Sequence, residues 1–467
     1  MPIDLTKTSL EPQHNQALLK DLQGNILNGH DCAHAVHIFI RFHSNSEKAT
    51  KDWLQTFAEK ITSAWQQWEE TSTLSNNSAS NNSASEKCFT SFLLSAHGYE
   101  SLGFDLKPTD NENNVLFDDA FRAGMRVFRN WLSDPAIEEW EQNYQNQIDA
   151  VIILANNDLA NLRQETEQLK LAINQVAEII TIETGRVLKN EHGQIIENFG
   201  FVDGISQPLF MKSDIDLATA QGIDKWDPSA PLKLVLVKDP YGQGESSFGS
   251  YCVYRKLAQD VVDFENRVKQ LAQQIEGDNA KELAGALVVG RFKDGTPVIL
   301  NSTAQGDQVI LNNFNYDDDP NGLQCPFQAH ARNINPRSSE TRSEESLEEQ
   351  RQHRIVRRGI TYASEKSKEV GLLFFCFQSD IIKQFLFLQR MWANDQHFVK
   401  YKTGLDALIG QGKQQDDGQK WPKKWGQSDT VQFDFSHFIT MKGGEFLFAP
   451  SISFLKNITN ITTEIIL

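Results

Sequence analysis

What the chain has little of narrows its chemistry before any motif is read. Its five cysteines, Cys32, Cys88, Cys252, Cys325 and Cys376, are odd in number and scattered, with no C-x-x-C pair. Neither a disulfide framework nor a structural zinc site is expected from them. No stretch supplies 18 consecutive apolar residues, so no membrane-spanning helix is expected. The opening MPIDLTKTSLEPQHNQ lacks the basic start, apolar run and small-residue cleavage site of a secretory signal. With reduced thiols, this points to a cytoplasmic protein. Basic residues are also in deficit, 45 Lys and Arg against 62 Asp and Glu, for a formal net charge of −17. No basic block offsets that field, which excludes a nucleic-acid partner and should slow anionic dyes at low salt.

What is present is the material of a large globular unit: 467 residues, 39% of them hydrophobic. Ala35 to Phe42 alternates, with Val36, Ile38, Ile40 and Phe42 on one side and His37 and Arg41 on the other. That period predicts a half-buried strand. Trp53, Phe57, Ile61 and Trp65 recur every four residues and predict one helix over Glu47 to Glu70. Thr71 to Ser85 is almost all Ser, Asn, Thr and Ala, and reads as a loop tip. Strands Phe89 to Leu94 and Ala150 to Leu154, a helix from Asp158 to Ile179 and a strand from Ile180 to Val187 complete a βαββαβ order.

That order is the ferredoxin-like unit. Strand-like Leu232 to Val237 and Ser250 to Tyr254, a helix from Gln259 to Ile275, strand-like Gly371 to Phe377 and helical Ile381 to Trp392 suggest a second copy. The expected fold class is therefore α+β: two ferredoxin-like halves, 1–220 and 221–467, each an antiparallel sheet with helices packed on it.

Three segments carry unusual chemistry. In Gly200-Phe201-Val202-Asp203-Gly204-Ile205-Ser206-Gln207-Pro208, two glycines bracket a carboxylate and allow backbone to approach a flat ligand closely. In Cys325 to Arg337, His330 offers an imidazole for iron, and Arg332 and Arg337 offer guanidiniums for carboxylates. In Ile355-Val356-Arg357-Arg358-Gly359-Ile360-Thr361-Tyr362, followed by the apolar Gly371 to Phe377, an arginine can enter a dry pocket, where its charge acts strongly. Taken singly, these are also compatible with a capping aspartate, a core histidine and an internal ion pair.

Together they resemble the DyP-type (dye-decolourising) peroxidase family, in which G-x-x-D-G, then H-x-R with a nearby N-P-R, then R-R-G occur in this order. The likeness extends to Leu22-Gln23-Gly24-Asn25-Ile26-Leu27, Tyr254-Arg255-Lys256-Leu257, Gly443-Gly444-Glu445-Phe446 and Phe448-Ala449-Pro450-Ser451, so it covers nearly the whole chain. The resemblance implies two ferredoxin-like halves enclosing one haem b per chain, bound mainly by the second half. It implies His330 as the iron ligand, with Asp203 and Arg357 on the opposite face handling hydrogen peroxide through a ferryl intermediate. Gly200, Phe201, Val202, Gly204, Ile205, Gln207, Arg332, Arg337, Leu372 and Phe374 would complete the haem pocket.

Arg358 is adjacent to Arg357 and points to the other face of its strand, so the pocket takes one of the two. No motif marks the carboxylate behind His330; Asp380 is the candidate. Bulky dyes and phenols would be oxidised at the surface, with Trp392, Tyr362 and Trp425 as candidate relays. The competing class is a haem-binding or haem-trafficking protein with little peroxidase activity, and a homo-oligomer is left open.

Overall fold

The computed structural model describes residues 3–76, 87–106, 117–306, 312–364, 367–413 and 418–461. In the first half, β1 (His34–Phe42), β2 (Phe89–Leu94), β3 (Ala150–Asn156) and β4 (Ala177–Arg186) pair antiparallel in the order β4-β1-β3-β2. In the second half, β5 (Phe248–Gln259), β6 (Val356–Arg357), β7 (Ile360–Ala363), β8 (Val370–Gln378) and β9 (Ile439–Ala449) repeat that arrangement. Their order is β9-β5-β8-β7, with β6 on the edge of β8. The pair Phe448–Leu94 joins the halves into a ten-stranded sheet. The fold is α+β, two ferredoxin-like halves built as expected. At its ends β4 and β7 come together, Thr361 donating its hydroxyl to the Arg186 carbonyl, but no ladder among the described residues closes the sheet.

Rolling changes what the alternation in β1 means. His37, expected on a polar face, is buried, with Nδ1 3.1 Å from the Tyr254 hydroxyl on β5. Phe39 meets the same ring at 4.8 Å. A strand covered on both faces buries its polar positions as well as its apolar ones. Burial pushes the His37 imidazole down to about 3, so it is neutral at physiological pH.

The helix expected over 47–70 is two. Helix α1 (Glu47–Phe57) ends before Thr62, whose N–H bonds the Thr90 carbonyl and whose carbonyl accepts from Gly24. Ser63 then caps α2 (Ala64–Asn76) through a reciprocal pair: its hydroxyl accepts from the Gln66 N–H at 3.1 Å, and Gln66 Oε1 accepts from the Ser63 N–H at 2.9 Å. Because α2 runs to Asn76, the loop expected from Thr71 begins later; its remainder lies outside the described residues. Helix α3 (Leu159–Ile173) is capped by Asp158 and covers the first sheet. Leu232–Leu234 is a 3-10 turn, and only Val237–Lys238 of that predicted strand pairs. The segment expected to be a plain helix from Ile381 winds as π turns over Ile382–Leu386 and Leu388–Ala393. Among the described residues, no helix is long and apolar enough to cross a membrane.

Register positions the site. Across β6, β8, β5 and β9 the pairs are Arg357–Cys376, Phe374–Arg255, Leu372–Leu257, Met441–Leu257 and Ile439–Gln259. Partners in register and residues two apart share a face. Arg357, Leu372, Phe374, Arg255, Leu257, Gln259, Met441 and Ile439 therefore form one surface. Helices α4 (Val261–Ala272) and α5 (Ala280–Val289) pack Phe264, Val268, Leu271, Leu283 and Leu287 into the second core beside that surface.

Candidate functional site

A cavity of about 290 Å³ opens on that face of the second sheet. Phe201, Val202, Asp203, Gly204, Ile205 and Gln207 reach it from the loop joining the halves; Gly200, beside them, does not line it. Gly200 and Gly204 sit at φ +89° and +82°, conformations a side chain would strain, and they turn the loop so that Asp203 faces inward. Glu197 anchors the loop by accepting from the Phe199 and Phe201 N–H groups and from Gln259, and burial pushes its carboxyl above the usual range. Asp203 accepts from the Gly204 N–H at 2.6 Å, and Arg357 stands 3.4 Å from it. Gln207 clasps the Arg357 backbone, accepting from its N–H at 3.2 Å and donating to its carbonyl at 3.3 Å. Arg358 points away, to the carbonyls of Asn25, Ile26 and Leu27. Of the adjacent pair, Arg357 is the one in the cavity.

His330 opens a short helix, α6 (His330–Asn333), and lines the same cavity. Its Nδ1 lies 3.0 and 3.2 Å from the two oxygens of Asp406, which is fully buried and also accepts from the Leu408 and Ile409 N–H groups at 2.8 Å. A carboxylate there can only accept, so Nδ1 carries the proton and the Nε2 lone pair is left for a ligand. This corrects Asp380, whose carboxylate instead caps the Lys383 N–H and pairs with the Lys383 ammonium. Asp406 lies 76 residues beyond His330, and only folding shows that the two meet. The Ala407 N–H bonds the Gln328 carbonyl and holds the two segments together.

Arg332 lies outside the cavity lining, 2% exposed. It pairs with Asp319 at 2.9 Å, bonds the Cys325 carbonyl and is sandwiched by Tyr316 and Phe327. Asp319 also accepts from the Leu323, Gln324 and Cys325 N–H groups, so this pair braces the turn that presents His330. Asp319→Ala should cost about 3–5 kcal/mol, because it strands a buried guanidinium. The loss would be read as a lowered urea midpoint, with Asp319→Ala/Arg332→Met recovering part of it.

Arg337 does line the cavity, and with it stand Arg291 and Arg354, which sequence reasoning missed. Their partners are neutral: Ser206 and Asn312 with the Phe314 carbonyl for Arg337, Asn312 and the Gly295 carbonyl for Arg291, the Pro228, Ser229 and Arg351 carbonyls for Arg354. None has a carboxylate ion-pair partner among the described residues. Burial pulls the three guanidiniums down to about 9, 10 and 10 respectively, so they remain cationic at neutral pH. Arg354 lies three residues before Arg357 in one basic segment, which was a usable signal; Arg291 had none.

Buried cations without counter-charge are expensive, and an anionic ligand relieves them. An apolar slot, an imidazole with a free Nε2 and a wall of unpaired guanidiniums fit an iron porphyrin with two carboxylate tails. Of the expected surface relays, Trp392 and Tyr362 are 2% and 4% exposed. Trp425 is half-buried, with Nε1 donating to the Val298 carbonyl.

Residues 21–187 match the family model described as the DyP dimeric alpha+beta barrel domain, and residues 199–405 that described as Dyp-type peroxidase, C-terminal. Those two matches define the class, an α+β peroxidase. The multifunctional dye peroxidase DyP2 of Amycolatopsis sp. is 36% identical over 98% of this chain and all of that protein. The dye-decolorizing peroxidase msp1 of Mycetinis scorodonius is 27% identical over 79% of this chain and 76% of its own length. A crystal structure of an Anabaena sp. DyP-type peroxidase superposes with a TM-score of 0.88 at 44% identity, covering 97% of this chain and 98% of that one. The chain belongs to the DyP-type peroxidase family, whose members depend on haem.

Proposed function

We propose that the chain holds one haem b, with His330 Nε2 on the iron and Arg291, Arg337 and Arg354 toward the propionates, and that it reduces hydrogen peroxide to water while oxidising dyes and phenols. What supports this reading is one conjunction: an imidazole backed by a buried carboxylate and an Asp–Arg pair lining the same cavity. When bound, the haem supplies the electrons that cleave the peroxide bond. Asp203 takes a proton from one peroxide oxygen and returns it to the other, so that water leaves rather than hydroxide. Arg357 holds the aspartate in place and stabilises the charge separating along the breaking bond. Leu372 and Phe374 keep the wall beside them apolar and narrow, which admits peroxide and excludes a dye.

The experiment is an absorption spectrum of the purified protein before and after one equivalent of peroxide. A Soret band that responds to peroxide supports the reading; a band absent from protein made in haem-sufficient cells would overturn it. Within this reading, Gln207→Ala frees the Arg357 backbone from the Asp203 loop. It should lower kcat/KM for peroxide on the order of tenfold, since misplacing a reacting group by about 1 Å can cost as much as about 10²-fold. The Soret band of that variant should be unchanged.

A further inference from the structure

We propose that Trp131, with Arg390 over its ring, is the surface site where bulky anionic aromatic reductants dock and give up their electrons; this rests on the peroxidase reading above. The indole is 47% exposed, and the Arg390 guanidinium stands 4.2 Å from its centroid. Arg390 and Arg129, two residues before Trp131, have no carboxylate ion-pair partner among the described residues. The acids closest in sequence are Asp134, which is spent on the buried Arg255, and Glu138 and Glu139 on the following turn. Val127 and Met391, 66% and 46% exposed, add apolar surface from the same two segments. On a chain of net charge −17, two free guanidiniums beside an open indole suit a flat aromatic carrying sulfonate or carboxylate groups.

The patch is bonded to the cavity by two short routes. Gln389, which lines the cavity, donates to Asn394 Oδ1 at 2.9 Å, and Asn394 donates to the carbonyl of Leu132, the residue after Trp131, at 3.0 Å. Arg255, also in the lining, bonds Asp134 at 2.9 Å. The other large exposed aromatic among the described residues, Tyr401, stacks on His397, and no bond printed for its side chain leads to the cavity wall.

The step balances without an added co-reactant. The indole gives one electron to the peroxide-oxidised centre, and its Nε1 proton goes to water. The docked reductant then gives one electron to the ring, which regains a proton. Two such transfers match the two electrons taken by each peroxide. A guanidinium over the ring makes it harder to oxidise and, once oxidised, a stronger oxidant.

The test uses the holoenzyme. Trp131→Phe should lower kcat/KM for a sulfonated anthraquinone dye by at least about tenfold, while 2,6-dimethoxyphenol stays within about twofold. Arg390→Gln should raise KM for the dye with kcat kept, and weaken dye binding in equilibrium dialysis without peroxide. Freeze-quench electron paramagnetic resonance after peroxide alone should show a tryptophan-centred radical that Trp131→Phe removes. Dye turnover retained in Trp131→Phe, a parallel loss with the phenol, or the loss appearing in Tyr401→Phe instead would overturn the proposal. A wild-type holoenzyme unable to consume peroxide with either reductant would overturn the peroxidase reading and this proposal with it.

Discussion

Asp203→Asn is expected to lower kcat/KM for hydrogen peroxide by about 10²–10⁴-fold, the range carried by a positioned acid–base group. Asparagine keeps the size of the side chain, and its oxygen can still accept from the Gly204 N–H, so the loop that carries it should not move. What it loses is a basic oxygen able to take a proton. Cofactor retention should be unaffected, because Asp203 is bonded only to Gly204 and Arg357 in the protein. Stopped-flow mixing with peroxide measures the rate, and the resting absorption spectrum measures retention. Arg357→Leu should fall steeply as well, but the double variant should cost much less than the sum, because the two groups act as one unit. Additive losses, or a rate in Asp203→Asn close to wild type, would remove Asp203 from the proton-shuttle role.

The reach of the sequence can be judged from the residues on each side of that cavity. Arg357 and Arg358 were indistinguishable by composition, yet strand period placed them on opposite faces, and pairing of Arg357 with Cys376 decides which one enters. The Asp203 loop was legible because its glycines mark required backbone conformations at fixed offsets. Asp406 was not legible: it is an ordinary aspartate in a loop, and its meaning arises from a contact across 76 residues. Arg332 shows the converse, a motif position whose charge is spent on a buried brace for the turn. His37 and the two-part helix α1–α2 were misjudged for one reason, that local periodicity assumes a single covered face and an uninterrupted element. In each case the sheet of the other half, or a capping residue at the junction, supplied the missing term.

His330→Ala should remove the axial ligand, giving a preparation with little bound haem and no peroxide turnover; added imidazole restoring a Soret band would show that the cavity survived. The sharper experiment is one residue back. Asp406→Asn should cost about 10–100-fold in cofactor affinity or activity, the range seen when a second-sphere partner of a ligating histidine is altered. The reason lies in hydrogen-bond direction. If the amide oxygen turns toward Nδ1, the Leu408 and Ile409 N–H groups lose their acceptor. If it stays with them, the amide N–H faces Nδ1, and the imidazole must move its proton to Nε2, the atom that should carry the free lone pair. Either way the imidazole donates less electron density, so the reduction potential of the bound iron should rise. A potential unchanged from wild type, at normal haem content, would separate Asp406 from any role beyond holding the loop.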